Sequence, residues 1–81
     1  MKALIGNLLY DTNAAAKIAV NTQSDGVRIL YKTLNGRYFS FIRTASSERL
    51  EPCDEDAAKT FAVATLHTAA VLEYFPDIKE A

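Results

Sequence analysis

Cys53 and His67 are the residues of this chain that could act as a nucleophile and its base. A thiol needs a base within hydrogen-bond distance, near ~3 Å, to take its proton. Cys53 precedes a predicted C-terminal helix and His67 lies well along it. Because a helix rises about 1.5 Å per residue, the two residues are expected to lie roughly 20 Å apart. The sequence also has no phosphate-binding glycine motif and no serine–histidine–aspartate set in a usable order. We therefore predict no catalytic site and no enzymatic activity.

A cluster of acidic residues around the start of the same helix has the side chains of a metal site. Its members are Glu48, Glu51, Asp54, Glu55 and Asp56. They lack the alternating oxygen ligands and the turn glycine of a calcium loop. Asp54 suits the N-cap, and Glu55 and Asp56 suit the positive end of the helix dipole. We predict no metal and no cofactor, and we leave open an acidic docking surface or a mimic of nucleic-acid charge.

Basic and aromatic residues follow one another along two consecutive predicted strands. Basic side chains contact phosphates, and exposed aromatic rings stack on bases in single-stranded nucleic acid. The candidate nucleic-acid-binding residues are Arg28, Lys32, Arg37, Phe39, Phe41 and Arg43. Hairpins of this composition also occur in proteins that bind nothing, and the net charge of −1 gives no general attraction to nucleic acid. Nucleic-acid binding is therefore kept as an alternative function.

The predicted helix over residues 55–74 carries more apolar surface than one small sheet can cover. Asp54 begins it and Pro76 ends it. The stripe expected to face the sheet contains Ala57, Phe61, Ala64, Thr68, Val71, Leu72 and Phe75. The opposite side is also largely apolar, with no charged residue between Thr60 and Leu72. An apolar outer stripe is typical of a surface that meets a partner protein or a second copy.

This outer stripe is the predicted protein-binding site. Its residues are Val63, Leu66, His67, Ala70 and Tyr74, with Glu55 and Asp56 at the rim. A large aromatic anchor such as Tyr74 commonly dominates the binding energy of an interface. The alternative is that strands curl around the helix and cover the stripe within the monomer.

The strands and the helix predicted around these residues indicate an α+β domain. It has a short antiparallel sheet of three to four strands packed against one long C-terminal helix. Asn35-Gly36 separates strands at 27–34 and 37–43, and this dipeptide favours a two-residue type I′ turn. That turn would pair Lys32 with Phe39. One face of the hairpin would then carry Ile29, Tyr31, Thr33, Tyr38, Ser40 and Ile42, and the other Arg28, Leu30, Lys32, Phe39, Phe41 and Arg43.

Weaker strand signals flank this central hairpin. Gly6-Asn7 suits a tight turn between residues 2–5 and 8–10. Residues 17–20 form a further predicted strand, and a short edge strand is expected near Leu50.

Length and composition predict one folded domain over residues 1–81. Hydrophobic residues make up 49% of the chain and charged residues 23%, which is ordinary for a globular protein. The single cysteine excludes an internal disulfide, and the N-terminus lacks the apolar core of a signal peptide. No stretch reaches the ~18 apolar residues that span a bilayer. We therefore expect a cytoplasmic protein.

Two stretches of the chain share a pattern with a known group of proteins. The first runs Leu9-Tyr10-Asp11-Thr12 with Ala15-Ala16-Lys17-Ile18, and the second runs from Leu30-Tyr31-Lys32-Thr33 to Gly36-Arg37-Tyr38-Phe39. Together they resemble small uncharacterised proteins of phages, prophages and plasmids. The resemblance covers most of the first 60 residues, and an acidic helix start led by proline follows in both. This sequence differs by its longer apolar helix and a shorter segment after Phe39.

The resemblance implies a setting and brings no catalytic residues. Small proteins of mobile elements often bind and block a host machine, and anti-CRISPR inhibitors are one such class. It therefore implies a non-enzymatic inhibitor of a host protein complex, such as a CRISPR-Cas effector, acting in the host cytoplasm. A homodimer joined through the outer helix stripe is a third expectation.

Overall fold

The structure is a computed structural model that describes residues 1–78. Its elements in chain order are β1 (Lys2–Ile5), β2 (Leu8–Asp11), β3 (Ala16–Gln23), β4 (Gly26–Lys32), β5 (Tyr38–Thr44), β6 (Glu48–Cys53), α1 (Glu55–Thr65) and α2 (Thr68–Tyr74). Strands β3 to β6 form a four-stranded antiparallel sheet in sequence order, and β1 and β2 form a separate hairpin. The predicted α+β class with an antiparallel sheet is confirmed. No helix in the described part is long and apolar enough to cross a membrane.

Two hydrophobic clusters show that the four-stranded sheet is covered on both faces. The helix-side cluster contains Ile18, Ala19, Leu30, Tyr38, Ala58, Ala62, Val71 and Phe75. The hairpin-side cluster contains Tyr10, Tyr31, Phe39, Phe41 and Leu50, with Ala3 and Ile5 of β1 packed against it. The sheet is therefore the middle layer, between the helices and the β1–β2 hairpin, and its central strands β4 and β5 have buried side chains on both faces.

The β4–β5 hairpin forms as predicted, but its register differs by one residue. The predicted pairing of Lys32 with Phe39 is wrong, because Lys32 pairs with Tyr38. The loop is one residue longer than a type I′ turn: Thr33 N–H donates to the Arg37 carbonyl at 2.8 Å, and Gly36 N–H donates to the Thr33 carbonyl at 3.0 Å. Gly36 has φ +84°, whereas Asn35 does not have the positive φ that type I′ requires.

This one-residue shift changes which side chains share a face. The helix-side face carries Arg28, Leu30, Lys32, Tyr38, Ser40 and Ile42. The hairpin-side face carries Val27, Ile29, Tyr31, Phe39, Phe41 and Arg43. The predicted faces were therefore wrong, because each mixed residues that the true register sends to opposite sides.

The β1–β2 hairpin confirms the tight turn predicted at Gly6-Asn7. Gly6 has φ +57° and Asn7 has φ +65°, which are the positive angles of a type I′ turn. Leu4 consequently pairs with Leu9, and Ile5 pairs with Leu8.

The single helix predicted over residues 55–74 is wrong, because the chain leaves helical geometry at Leu66 and His67. Their ψ angles are 160° and 153°, which are extended values. The Thr65 hydroxyl donates to the Phe61 carbonyl at 2.6 Å, a side-chain bond that competes with continued helix. The break turns α2 back toward the sheet, where Phe75 stacks on Tyr38 with ring centres 5.6 Å apart.

The N-cap predicted at Asp54 is confirmed, since its Oδ1 accepts a hydrogen bond from the Ala57 N–H at 2.8 Å. We expect Asp54→Ala to lower the free energy of unfolding by about 1 kcal/mol, the usual cost of losing a cap. Asp56→Ala is the matched control, because it removes a neighbouring acidic residue and leaves the cap bond intact. Urea unfolding measures both. Equal losses in the two variants would assign the effect to charge near the helix dipole.

Candidate interaction surfaces

The aromatic residues predicted to stack on nucleic-acid bases are buried. Phe39 is completely enclosed and Phe41 almost so, beneath the β1–β2 hairpin. The Phe39 ring lies 5.2 Å from Tyr31 in a stacked arrangement and 5.3 Å from Tyr10 in an edge-on one. A base cannot reach either phenylalanine while the hairpin is in place. The prediction that these two phenylalanines are exposed for stacking is therefore wrong, because both belong to the hydrophobic core.

The basic residues of the same prediction are spread over different parts of the molecule. Arg28 and Lys32 lie on the helix-side face, Arg43 on the hairpin-side face, and Arg37 in the loop between β4 and β5. Arg28 pairs with Glu51 at 3.5 Å, and Arg43 pairs with Glu48 at 3.2 Å. The structure does not bring the six predicted residues together as one basic surface.

The predicted protein-binding stripe is interrupted by the break between the helices. Val63 on α1 is 62% exposed, and His67 between the helices is exposed. Leu66 and Tyr74 are half-buried and pack against the helix-side core, and Ala70 is also partly covered. The stripe predicted on one straight helix is thus divided, and its expected anchor Tyr74 contributes partly to the fold.

The two predicted rim residues, Glu55 and Asp56, are exposed at the first turn of α1. Lys59 lies 3.0 Å from Glu55 and 2.9 Å from Asp77, so it joins the start of α1 to the turn after α2. The Lys59 ammonium donates hydrogen bonds to the Asp77 and Glu55 carboxylates, and these bonds raise the pKa of Lys59. Accepting the bond from Lys59 lowers the pKa of the Asp77 carboxyl. Glu55 and Asp56 lie at one end of α1 and His67 beyond the other, so they do not surround one compact patch.

Sequence reasoning missed a pair of exposed leucines on the β1–β2 hairpin. Leu4 is 77% exposed and Leu9 is 58% exposed, and the two are cross-strand partners. Successive side chains of a strand point to opposite faces, and Ala3 and Ile5 point into the hairpin-side core, so Leu4 and Leu9 point outward. We call Leu4 and Leu9 the hairpin patch. The signal was present in the sequence, since a two-residue turn at Gly6-Asn7 places position 4 opposite position 9.

A groove of about 370 Å³ lies between α1 and the helix-side face of the sheet. Its polar lining residues are Arg28, Ser40, Cys53 and Thr60, and the other four are apolar. Burial raises the pKa of the Cys53 thiol, the carboxylates of Asp54 and Glu51 add to this, and Arg28 opposes it. The thiol is therefore protonated at neutral pH and a poor nucleophile. Cys53 precedes the 11-residue α1 and His67 follows it, so the length of this helix, about 16 Å, separates the thiol from the imidazole.

Comparison with known proteins gives no relative for this chain. No protein-family model, no curated protein and no solved structure matches it. Within residues 1–78, no group of three or more histidine, cysteine, aspartate or glutamate side chains is placed to hold a metal ion.

Proposed function

We propose that this protein acts by binding another protein, as an inhibitor or adaptor of a larger assembly. The observation that carries the proposal is the hairpin patch, where Leu4 and Leu9 stand side by side and largely exposed. Single exposed leucines are ordinary on protein surfaces, but adjacent ones on a rigid ribbon form an apolar patch that a partner can bury.

The position of the patch supports binding without rearrangement of the protein. The inner face of the hairpin packs on the hairpin-side core through Tyr10 and Ile5, so the leucines of its outer face are left free for a partner. Lys2 and Asp11 form the next cross-strand pair on the outer face and supply a polar margin of both signs. Complete burial of a leucine contributes about 1.5 to 3 kcal/mol, so the pair offers roughly 2 to 4 kcal/mol after allowing for its present partial burial.

The resemblance to small mobile-element proteins favours a host assembly as the partner. On this proposal the protein binds and blocks a host complex, with a CRISPR-Cas effector as the type of target, in the host cytoplasm. The helices are the competing docking surface, because Val63 of the predicted stripe and Leu72, which the sequence placed on the sheet-facing side, are both exposed.

The test compares the two surfaces directly in a host that carries the target assembly. The tagged wild-type protein is used to recover its partner, which is identified by mass spectrometry. We expect Leu4→Lys with Leu9→Glu to abolish recovery, because charges replace the patch while remaining a favourable cross-strand pair. Val63→Lys with Leu72→Glu is the matched control and should recover the partner as wild type does.

Three results would contradict this proposal. Failure of the wild-type protein to retain any protein removes the binding function itself. Loss of the partner only in the helix variant moves the docking surface to the exposed side of α1 and α2. Equal retention by both variants excludes both surfaces. Circular dichroism of each variant confirms that a lost partner does not reflect a lost fold.

A further inference from the structure

The two outer strands of the four-stranded sheet differ in how they are protected against pairing with another strand. Strand β6 carries Glu48, Arg49 and Glu51, followed by Pro52, which has no N–H to donate. Charges and proline on an edge strand are devices that prevent edge-to-edge association. The β6 edge is therefore closed to a further strand.

Strand β3, at the opposite edge, has such protection over only half of its length. Its eight residues contain one charge, Lys17, and a register irregularity between Lys17 and Ala19 disturbs the ladder there. The following residues, 19–23, have the sequence Ala-Val-Asn-Thr-Gln, without charge or proline. Within residues 1–78 they pair with β4 on one side, and no strand pairs with them on the other.

We propose that residues 19–23 pair antiparallel with the same residues of a second copy of this chain. With Asn21 opposite itself, Val20 of each copy faces Thr22 of the other, and Ala19 faces Gln23. No like charges meet in this register, because Lys17 lies outside the paired segment. Val20 is 42% exposed on the hairpin-side face beside Ile29, and the β-branched Thr22 of the second copy would pack its methyl group against it.

The symmetry of this pairing determines the shape of the dimer. A two-fold axis perpendicular to the sheet joins two four-stranded sheets into one of eight strands. Both pairs of helices then lie on one face and both β1–β2 hairpins on the other. The hairpin patch is on a different element from β3, so the dimer forms whether or not the patch binds a partner.

The dimer is expected to be weak, because five paired residues bury much less than the ~1,200 Å² of a stable interface. Sedimentation equilibrium of the full chain should therefore show the 8.9 kDa monomer at about 10 µM and a rise toward twice that mass at about 1 mM. A constant monomer mass up to about 1 mM overturns the proposal.

Two double variants test the register. Val20→Lys with Thr22→Lys places like charges opposite each other on both sides of the central Asn21 pair, and it should remain monomeric at every concentration. Val20→Lys with Thr22→Glu places opposite charges at the same positions, and it should regain the dimer. Both side chains are exposed in the monomer, so the fold is retained, and circular dichroism checks this.

The same measurements can also give results that contradict the proposed pairing. Monomer in both double variants overturns the pairing centred on Asn21. Dimer in both excludes the β3 edge. The hairpin variant Leu4→Lys with Leu9→Glu should dimerise as wild type does, and loss of its dimer would move the contact to the hairpin patch.

Discussion

Phe39→Ala is expected to lower the free energy of unfolding by about 3 to 5 kcal/mol. Phe39 is completely buried, and its ring contacts Tyr31 by stacking and Tyr10 edge-on. The truncation removes both aromatic contacts and leaves a cavity between the sheet and the β1–β2 hairpin. A chain of this size has a total stability of roughly 4 to 12 kcal/mol, so the variant is expected to lose a large part of it. Urea unfolding followed by circular dichroism measures the change.

Leu34→Ala is the control for this experiment. Leu34 is 94% exposed at the loop between β4 and β5, so its truncation should change stability by less than about 0.5 kcal/mol. A loss below about 1 kcal/mol in Phe39→Ala would mean that the hairpin does not cover this face of the sheet. In that case Phe39 would become available for the base stacking that the sequence predicted.

Gly26→Ala is expected to cost about 2 to 3 kcal/mol, because overpacking forces the surrounding structure to move. A Cβ at Gly26 would overlap the carbonyl oxygen of Arg43 and would lie 3.3 Å from the Cα of Thr44, its cross-strand partner. These are backbone atoms of β5, so they cannot move aside as the end of a side chain can. The β4–β5 ladder must separate locally, and urea unfolding should report the loss.

Gly36 is the matched control for Gly26, because glycine is needed there for the backbone conformation and at Gly26 for lack of space. Its φ is +84°, and no atom lies within 4 Å of an added Cβ. Gly36→Ala should cost about 1 to 2 kcal/mol through backbone strain alone, and Gly36→Asn should cost less, because asparagine tolerates positive φ. Gly26→Asn should be at least as damaging as Gly26→Ala. The reverse order at either position would contradict the packing at Gly26 or the turn at Gly36.

Local sequence signals predicted the turns better than the register between strands. Gly6-Asn7 specified its hairpin correctly, because nothing competes with the two-residue turn there. Asn35-Gly36 also marked a hairpin, but the chain adopts a loop closed between Thr33 and Arg37. That loop brings Tyr31 opposite Phe39, and so places the aromatic residues together under the β1–β2 hairpin. The register between β4 and β5 thus depends on burial of their aromatic side chains against the β1–β2 hairpin. That hairpin is distant in the sequence, so no local pattern indicates the register.

The prediction of one continuous apolar stripe along a single helix was wrong for a related reason. Helical periodicity described α1 well, including its cap at Asp54. It could not show that Val71 and Phe75 bury better when the chain bends at Leu66 and turns back over the sheet. Part of the apparent apolar excess of the helix is therefore core, and the exposed cross-strand pair Leu4 and Leu9 lies on the β1–β2 hairpin. Their exposure depends on which hairpin face meets the sheet.

The order of strands in the main sheet has a consequence for how fast the protein folds. Each of β3 to β6 pairs with its neighbour in sequence, so every ladder closes only a short loop. Folding rates rise as contacting residues become closer along the chain. The sheet can assemble as successive hairpins, without waiting for a long-range strand crossing. The contacts between segments far apart in the sequence are those that join the sheet to the β1–β2 hairpin and to the two helices. We therefore expect the hairpin and the helices to dock after the sheet has formed.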